Sequence, residues 1–294
     1  MMNENVTAQN WLTVWNWKPV VIIALILLVA AYSYAMSVWR RRRHPEERVQ
    51  ASRVVLFALG LLTLFIAEIS PLDALVGVLF TAHMTQHLLI SLAAAPLLVA
   101  SIPGWLARDL FGRRGIATLW KWLTMPLVAG FLFNANIWLW HAPPLVSAMM
   151  MDMSVHLLSQ LLYLVTGIIF WWPLFGSGEV GWPPLNLAGK LLYLFLSDMP
   201  MVLLGAGLTF TPPLYQMYIT TAQAFGTSPA LDQQIGGLLM WIPGSIFFIV
   251  VASGFFLQWM LQQEQRQREA ERQAWEEEEE GEEIEEDATE KHYG

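Results

Sequence analysis

The stretch Thr81-Ala82-His83-Met84-Thr85-Gln86-His87 opens an apolar run that continues from Leu88 to Ile102. On a helix, positions 83 and 87 lie one turn apart on the same face. Ionisable side chains inside an apolar segment are costly, so a pair sharing a face reads first as a site and only then as packing. The alternative is two histidines that bond between helices.

Composition sets the frame around this stretch. The 294 residues are 55% hydrophobic and only 14% charged, with a mean hydropathy of +0.45. A soluble domain carries about 25% charged residues, so the chain reads as a membrane protein. It contains no cysteine, which excludes disulfides, thiolate metal sites and cysteine nucleophiles. Fifteen tryptophans suit interfacial belts, and fourteen methionines are either filler or soft thioether ligands. The net charge of −8 is concentrated in the acidic stretch from Glu276 to Glu290, while the body is close to balanced. Such a tail is expected to be solvated and without fixed order.

Seven apolar segments approach the roughly 20 residues that a spanning helix needs. They are Pro19–Trp39, Arg53–Ile69, Val78–Ile102, Met125–His141, Val155–Phe175, Leu187–Thr211 and Ile235–Met260. This predicts an all-α, seven-helix membrane domain over 19–260. A short outer segment, 1–18, precedes it, and a charged helical extension with the acidic tail, 261–294, follows. The first apolar run lacks a small-residue cleavage pattern and is expected to stay as a span.

Orientation follows from the basic residues. Arg40-Arg41-Arg42-Arg43, Arg48 and Arg53 flank the first loop; Arg108, Arg113, Arg114 and Lys121 fill the third. Lys190 borders the fifth connection, and Arg266, Arg268 and Arg272 follow the last span. Residues 70–77, 142–154 and 212–234 hold no lysine or arginine. The positive-inside rule therefore predicts an N-terminus outside and a C-terminus in the cytoplasm, with Lys18 on the outer side.

This topology assigns depths. His83 and His87 fall near the outer end of the third span, His141 at the outer end of the fourth, and His156 at the start of the fifth, with Gln160 one turn deeper. Four of the six histidines thus meet in one layer. Imidazoles at one depth suit a late first-row metal, and Met84 together with Met149-Met150-Met151-Asp152-Met153 shifts the choice toward copper. His141, beside Trp138 and Trp140, also suits an interfacial role, and the methionine run also suits packing. Glu68, near Asp73, is a candidate outer-shell partner for an imidazole, and Asp232 opens the seventh segment at the same depth. Asp198 falls inside the sixth span, as a proton or ion device or a helix–helix hydrogen bond.

Four ordered blocks carry a family resemblance. They are His83-Met84-Thr85-Gln86-His87 with Ala95-Pro96-Leu97-Leu98; Asn136-Ile137-Trp138-Leu139-Trp140-His141-Ala142-Pro143; Phe170-Trp171-Trp172-Pro173-Leu174; and Asp232-Gln233-Gln234-Ile235-Gly236-Gly237 with Met240-Trp241-Ile242-Pro243-Gly244. Together they resemble the CtaG family, bacterial cytochrome c oxidase assembly factors first associated with caa-type oxidases. The likeness runs over roughly residues 54 to 256. It implies a multi-pass protein of the bacterial cytoplasmic (inner) membrane that aids delivery or insertion of copper into a haem–copper oxidase. The implied partners are oxidase subunits, a copper chaperone outside the membrane, and lipid. The family's histidine blocks map onto His83, His87, His141 and His156, and Gln160 stands where many relatives carry a further histidine.

Two other classes compete with this metallochaperone reading. Histidines on separate helices can be axial ligands of a b-type haem, and a seven-helix bundle with Asp198 in its interior can be a transporter. No nucleophile elbow, phosphate loop or metalloprotease motif is present, so catalysis is not expected, and nothing points to nucleic acid.

Overall fold

A computed structural model describes residues 6–293, with side chains described for residues 6–276. Every regular element among them is helical. The elements follow from long apolar runs punctuated by proline and glycine. Helix α1 is Pro19–Arg43 and α2 is Ala51–Ile69. A short α3, Pro71–Val76, is capped by Ser70, whose side chain accepts from the Leu72 N–H. Helix α4 is Phe80–Ser101, α5 is Gly104–Phe111, α6 is Arg114–Leu123 and α7 is Pro126–Trp140. Then come α8, Pro143–Met151; α9, Met153–Phe175; α10, Leu187–Phe210; α11, Met217–Ala224; and α12, Pro229–Tyr293.

Six of these helices are long and apolar enough to cross a membrane: α1, α2, α4, α9, α10 and α12. The fourth expected span is different. It is a broken pair, α6 and α7, bent by 67°, and a seventh crossing exists only if the pair counts as one. Proline at the first position of α7 removes a donor and biases the preceding Met125 to an extended conformation, which sets the break there. Short helices α3, α5, α8 and α11 occupy the connections between the long ones.

Residues up to Phe248 form one compact unit. Its centre is α4, packed against α2 and α9, with α7 against α9 and α10 against α7. The apolar side chains that α1, α7 and α10 turn outward, such as Ile26, Phe131 and Leu203, suit lipid. Close approach of α10 and α12 depends on glycine: a Cβ on Gly237 would lie 2.6 Å from Thr209 Oγ1 and 2.7 Å from the Gly205 carbonyl oxygen. Its neighbour Gly236 faces α4, where a Cβ would lie 2.5 Å from the Phe80 ring. The Gly236-Gly237 pair thus seats α12 on both helices.

The two ends of this unit differ chemically. At one end Arg53 donates to the Ala100 and Ile102 carbonyls at the C-terminus of α4 (3.1 and 2.7 Å). There Trp39 Nε1 also donates to Asp109, and Arg108 pairs with Glu179. His83, His87, His141 and His156 lie at the other end. Residues 249–293 form a second unit, a single helical rod whose described side chains are mostly exposed, with Val251, Ala252 and Phe255 partly covered. The expectation of an unordered acidic tail falls on 277–294, whose side chains lie outside the described residues.

Candidate metal centre

Helix α4 carries the site, and its start is fixed from a distant part of the chain. Asp232 accepts from the Phe80 and Thr81 N–H groups at 2.7 and 3.0 Å, while Thr81 Oγ1 donates to the Asp232 carbonyl at 3.0 Å. A carboxylate on the first free N–H groups of a helix satisfies orphan donors and complements the helix dipole. Asp232 therefore sets the position of His83 but contacts no imidazole. Just after His87 the helix loosens into a π stretch, Leu89–Ala94, where Ser91 Oγ donates to the His87 carbonyl and Trp171 Nε1 donates to the Ser91 carbonyl (2.6 and 2.8 Å). Bulges of this type concentrate at functional sites, because they re-aim the preceding turn.

The four expected histidines are all buried, and the structure brings them together. The Nε2 atoms of His83 and His87 are 2.6 Å apart. The His83 ring centre is 6.4 Å from that of His156, and the His87 ring centre is 6.3 Å from that of His141. A metal–nitrogen bond of about 2 Å plus about 1.1 Å to the ring centre allows two imidazoles on one ion to sit up to roughly 6.3 Å apart. Each of these two pairs therefore lies near the limit for a linear arrangement about one ion, and the rings would have to draw closer to hold an ion three or four at a time. Among the described residues, no three histidine or acidic side chains already form a ligand group.

His141 Nδ1 faces the Ile137 carbonyl oxygen at 2.7 Å. A carbonyl only accepts, so Nδ1 carries the hydrogen, and Nε2 of the neutral ring is a bare lone pair. That lone pair faces Met84 Sδ at 3.2 Å, another acceptor. Tyr218 gives the same result for His83. Burial, then Asp232 and Tyr215, hold the Tyr218 hydroxyl well above the usual phenol range, so it keeps its proton. It donates to the Val76 carbonyl at 3.0 Å and lies 3.2 Å from His83 Nδ1, which makes that nitrogen the donor. His83 Nε2 is then also a bare lone pair, facing His87. The far nitrogen of His87, Nδ1, is buried without a partner, and its ring stacks on Tyr163 at 4.0 Å. The His87 hydrogen, placed on Nε2, bridges to His83 Nε2. His141 Nε2 and Met84 Sδ, by contrast, are opposed acceptors with no hydrogen between them, and that contact fits an imidazole and thioether site for a soft or borderline cation.

Gln160 and Gln86 link His156 to a buried charge cluster. Gln160 Nε2 lies 3.4 Å from His156 Nε2 and also donates to Gln86 Oε1. Gln86 Nε2 in turn donates to the Ala67 carbonyl and to Asp73, both at 2.7 Å. Asp73 receives Lys18 at 2.7 Å and Asn16 at 2.7 Å, and Lys18 also reaches Glu68 at 3.4 Å. Burial raises the Asp73 carboxyl, while Lys18, then Gln86 and Asn16, pull it back. Glu68, expected beside an imidazole, instead serves Lys18. The sequence places Lys18 on the outer side and Gln86 between the two histidines but gives neither of them, nor Tyr218, a part in the site. Asp198 lies apart from these contacts inside α10, buried, with Oδ1 lacking a hydrogen-bond partner.

Two uncharacterized proteins, of Mycobacterium bovis and of Mycobacterium tuberculosis, are each 24% identical to this chain over 282 residues. The matches cover 88% of the chain but 41% of each relative, so the chain spans about two fifths of their length. No solved structure matches. Residues 30–262 match the family described as cytochrome c oxidase caa3 assembly factor (Caa3_CtaG). That match contains all four buried histidines, and the chain belongs to this family.

Proposed function

We propose that this chain binds copper at His83, His87, His141 and Met84, with His156 at the edge, and passes it to a haem–copper oxidase during assembly. The family supplies the assembly context. The observation that supports copper is the opposed lone-pair contact of His141 with Met84, beside the paired imidazoles of His83 and His87. Imidazole with thioether and without thiolate suits monovalent copper, and the surrounding apolar packing slows exchange with water. Held by neutral ligands, the ion would be passed on by ligand exchange, each imidazole or thioether bond broken here being replaced by one to a ligand of the acceptor. The chain acts by binding and transfer, without catalytic turnover.

Metal analysis with an optical spectrum of the purified protein tests this reading. Chelator-resistant copper near one per chain, with no Soret band, is expected. A stoichiometric haem spectrum without copper would overturn it. The haem alternative has less support: the rings pack on one another and on Tyr163, and the adjoining cavity is about 40 Å³. Small-molecule sites usually offer some 300–1,000 Å³.

The same proposal places the histidine end outside the cytoplasmic membrane and the arginine end inside. Reporter fusions near residues 72, 147 and 222 are expected to report outside, and those near 45, 112 and 181 inside. A cytoplasmic signal near residue 147 would reverse the orientation and move the histidine layer to the cytoplasmic face.

A further inference from the structure

We propose that Met149, Met150 and Met153, together with His156, form a separate acquisition site for monovalent copper at the mouth of the histidine layer. The inference rests on the copper reading above. These four side chains line one cavity of about 40 Å³, with Lys18 and Asp73 also on its wall. A water-sized probe needs about 10–15 Å³, so the space accepts one ion with a ligand water.

Local structure explains how a run of methionines comes to face one space. Met149 and Met150 lie in the last turn of α8, Asp152 separates the two helices and caps α9 by accepting from the Ser154 N–H, and Met153 begins α9. Met151, on the opposite side, is 73% exposed and does not line the cavity. Exposure is graded along the three that do: Met149 2%, Met150 7%, Met153 36%. A thioether series running from surface to interior suits stepwise entry of a soft ion.

The chemistry is selective. Thioethers are neutral and soft, favouring monovalent copper and silver over zinc and divalent copper. The wall charge does not oppose a cation, because Lys18 is matched by two carboxylates, Asp73 and Glu68. Continuity with the deeper site is direct. Met150 Sδ lies 3.4 Å from Tyr218 Oη, which is 3.2 Å from His83 Nδ1, and His156 belongs to both the cavity and the histidine layer.

Silver(I), a redox-inert probe, tests this on the full chain in detergent, with zinc as the control. Wild type is expected to bind two silver ions. Met149→Leu/Met150→Leu/Met153→Leu keeps side-chain volume nearly constant and is expected to bind one. It should also load chelator-resistant copper at least about tenfold more slowly, the lower range for losing a supporting metal contact. His83→Ala/His87→Ala should retain one silver ion, and zinc binding should be unchanged by the leucine substitutions. Met153→Leu alone, at the partly exposed position, should slow loading without altering the helical circular dichroism, which separates site loss from misfolding. Wild-type silver stoichiometry and loading rate in the triple variant would overturn the acquisition site and leave the histidine reading standing. Full chelator-resistant copper in His83→Ala/His87→Ala would overturn the histidine reading instead.

Discussion

His83→Ala/His87→Ala is expected to lower chelator-resistant copper by at least about tenfold, the lower range for perturbing a metal site, while the protein still inserts and stays helical. Each ring presents Nε2 to the other at 2.6 Å, so alanine at both positions removes two donors at once. Stability should also change. The double truncation leaves a cavity against Tyr163, Tyr218 and His156, yet removes a buried Nδ1 that has no partner. Those two effects oppose each other, because a void costs free energy and relief of an unsatisfied polar atom returns it. Copper content in membranes solubilised from cells, with circular dichroism on the same sample, checks both. Unchanged chelator-resistant copper would return the pair to a role in helix–helix hydrogen bonding.

The histidine layer was legible because it rests on two local patterns: an i,i+4 pair in an apolar run, and alternation of basic and non-basic loops. Depth then followed from topology alone, and His141 and His156 came to the same end as His83. The broken fourth span was not legible. Helix α7 has 15 residues, about 22 Å at 1.5 Å per residue, short of the roughly 30 Å hydrocarbon core. The window Met125–His141 looks like a full span because its composition is apolar, whereas the break depends on Pro126 and on the contacts of Thr124. Thr124 Oγ1 donates to the Trp120 carbonyl and accepts from the Trp182 N–H.

The partners of the layer were less legible than its members. Asp232 and Glu68 were drawn toward the imidazoles by depth, yet one caps α4 and the other holds Lys18. Depth sorts residues into a layer but does not say which face they turn to. Tyr218 lies 135 positions from His83, in a stretch with no periodic signal. Gln86 was visible inside the quoted motif, but its role depends on Asp73 and Gln160, which only the packed helices bring within reach.

Lys18→Met is expected to destabilise the protein by about 3–5 kcal/mol, the range for removing one partner from a buried ion pair. The Lys18 side chain is 5% exposed, and the Glu68 and Asp73 side chains are 8% and 2% exposed. Methionine nearly matches lysine in length and packing, so the loss reports the charge. Two nearly buried carboxylates remain without their ammonium, and Asp73 keeps only Asn16 and Gln86 as donors. Lys18→Met/Glu68→Gln/Asp73→Asn should therefore be more stable than the single variant, since removing all three charges leaves none uncompensated. The amide at position 73 can still accept from Gln86, so the glutamine link to His156 survives in the triple variant and copper retention should follow stability. Thermal unfolding in one detergent, across wild type and both variants, provides the comparison. If Lys18→Met unfolds within about 0.5 kcal/mol of wild type, as an ordinary surface change would, the ammonium is not holding the carboxylates. If the triple variant is the less stable, the three groups act through separate contacts rather than as one charge cluster.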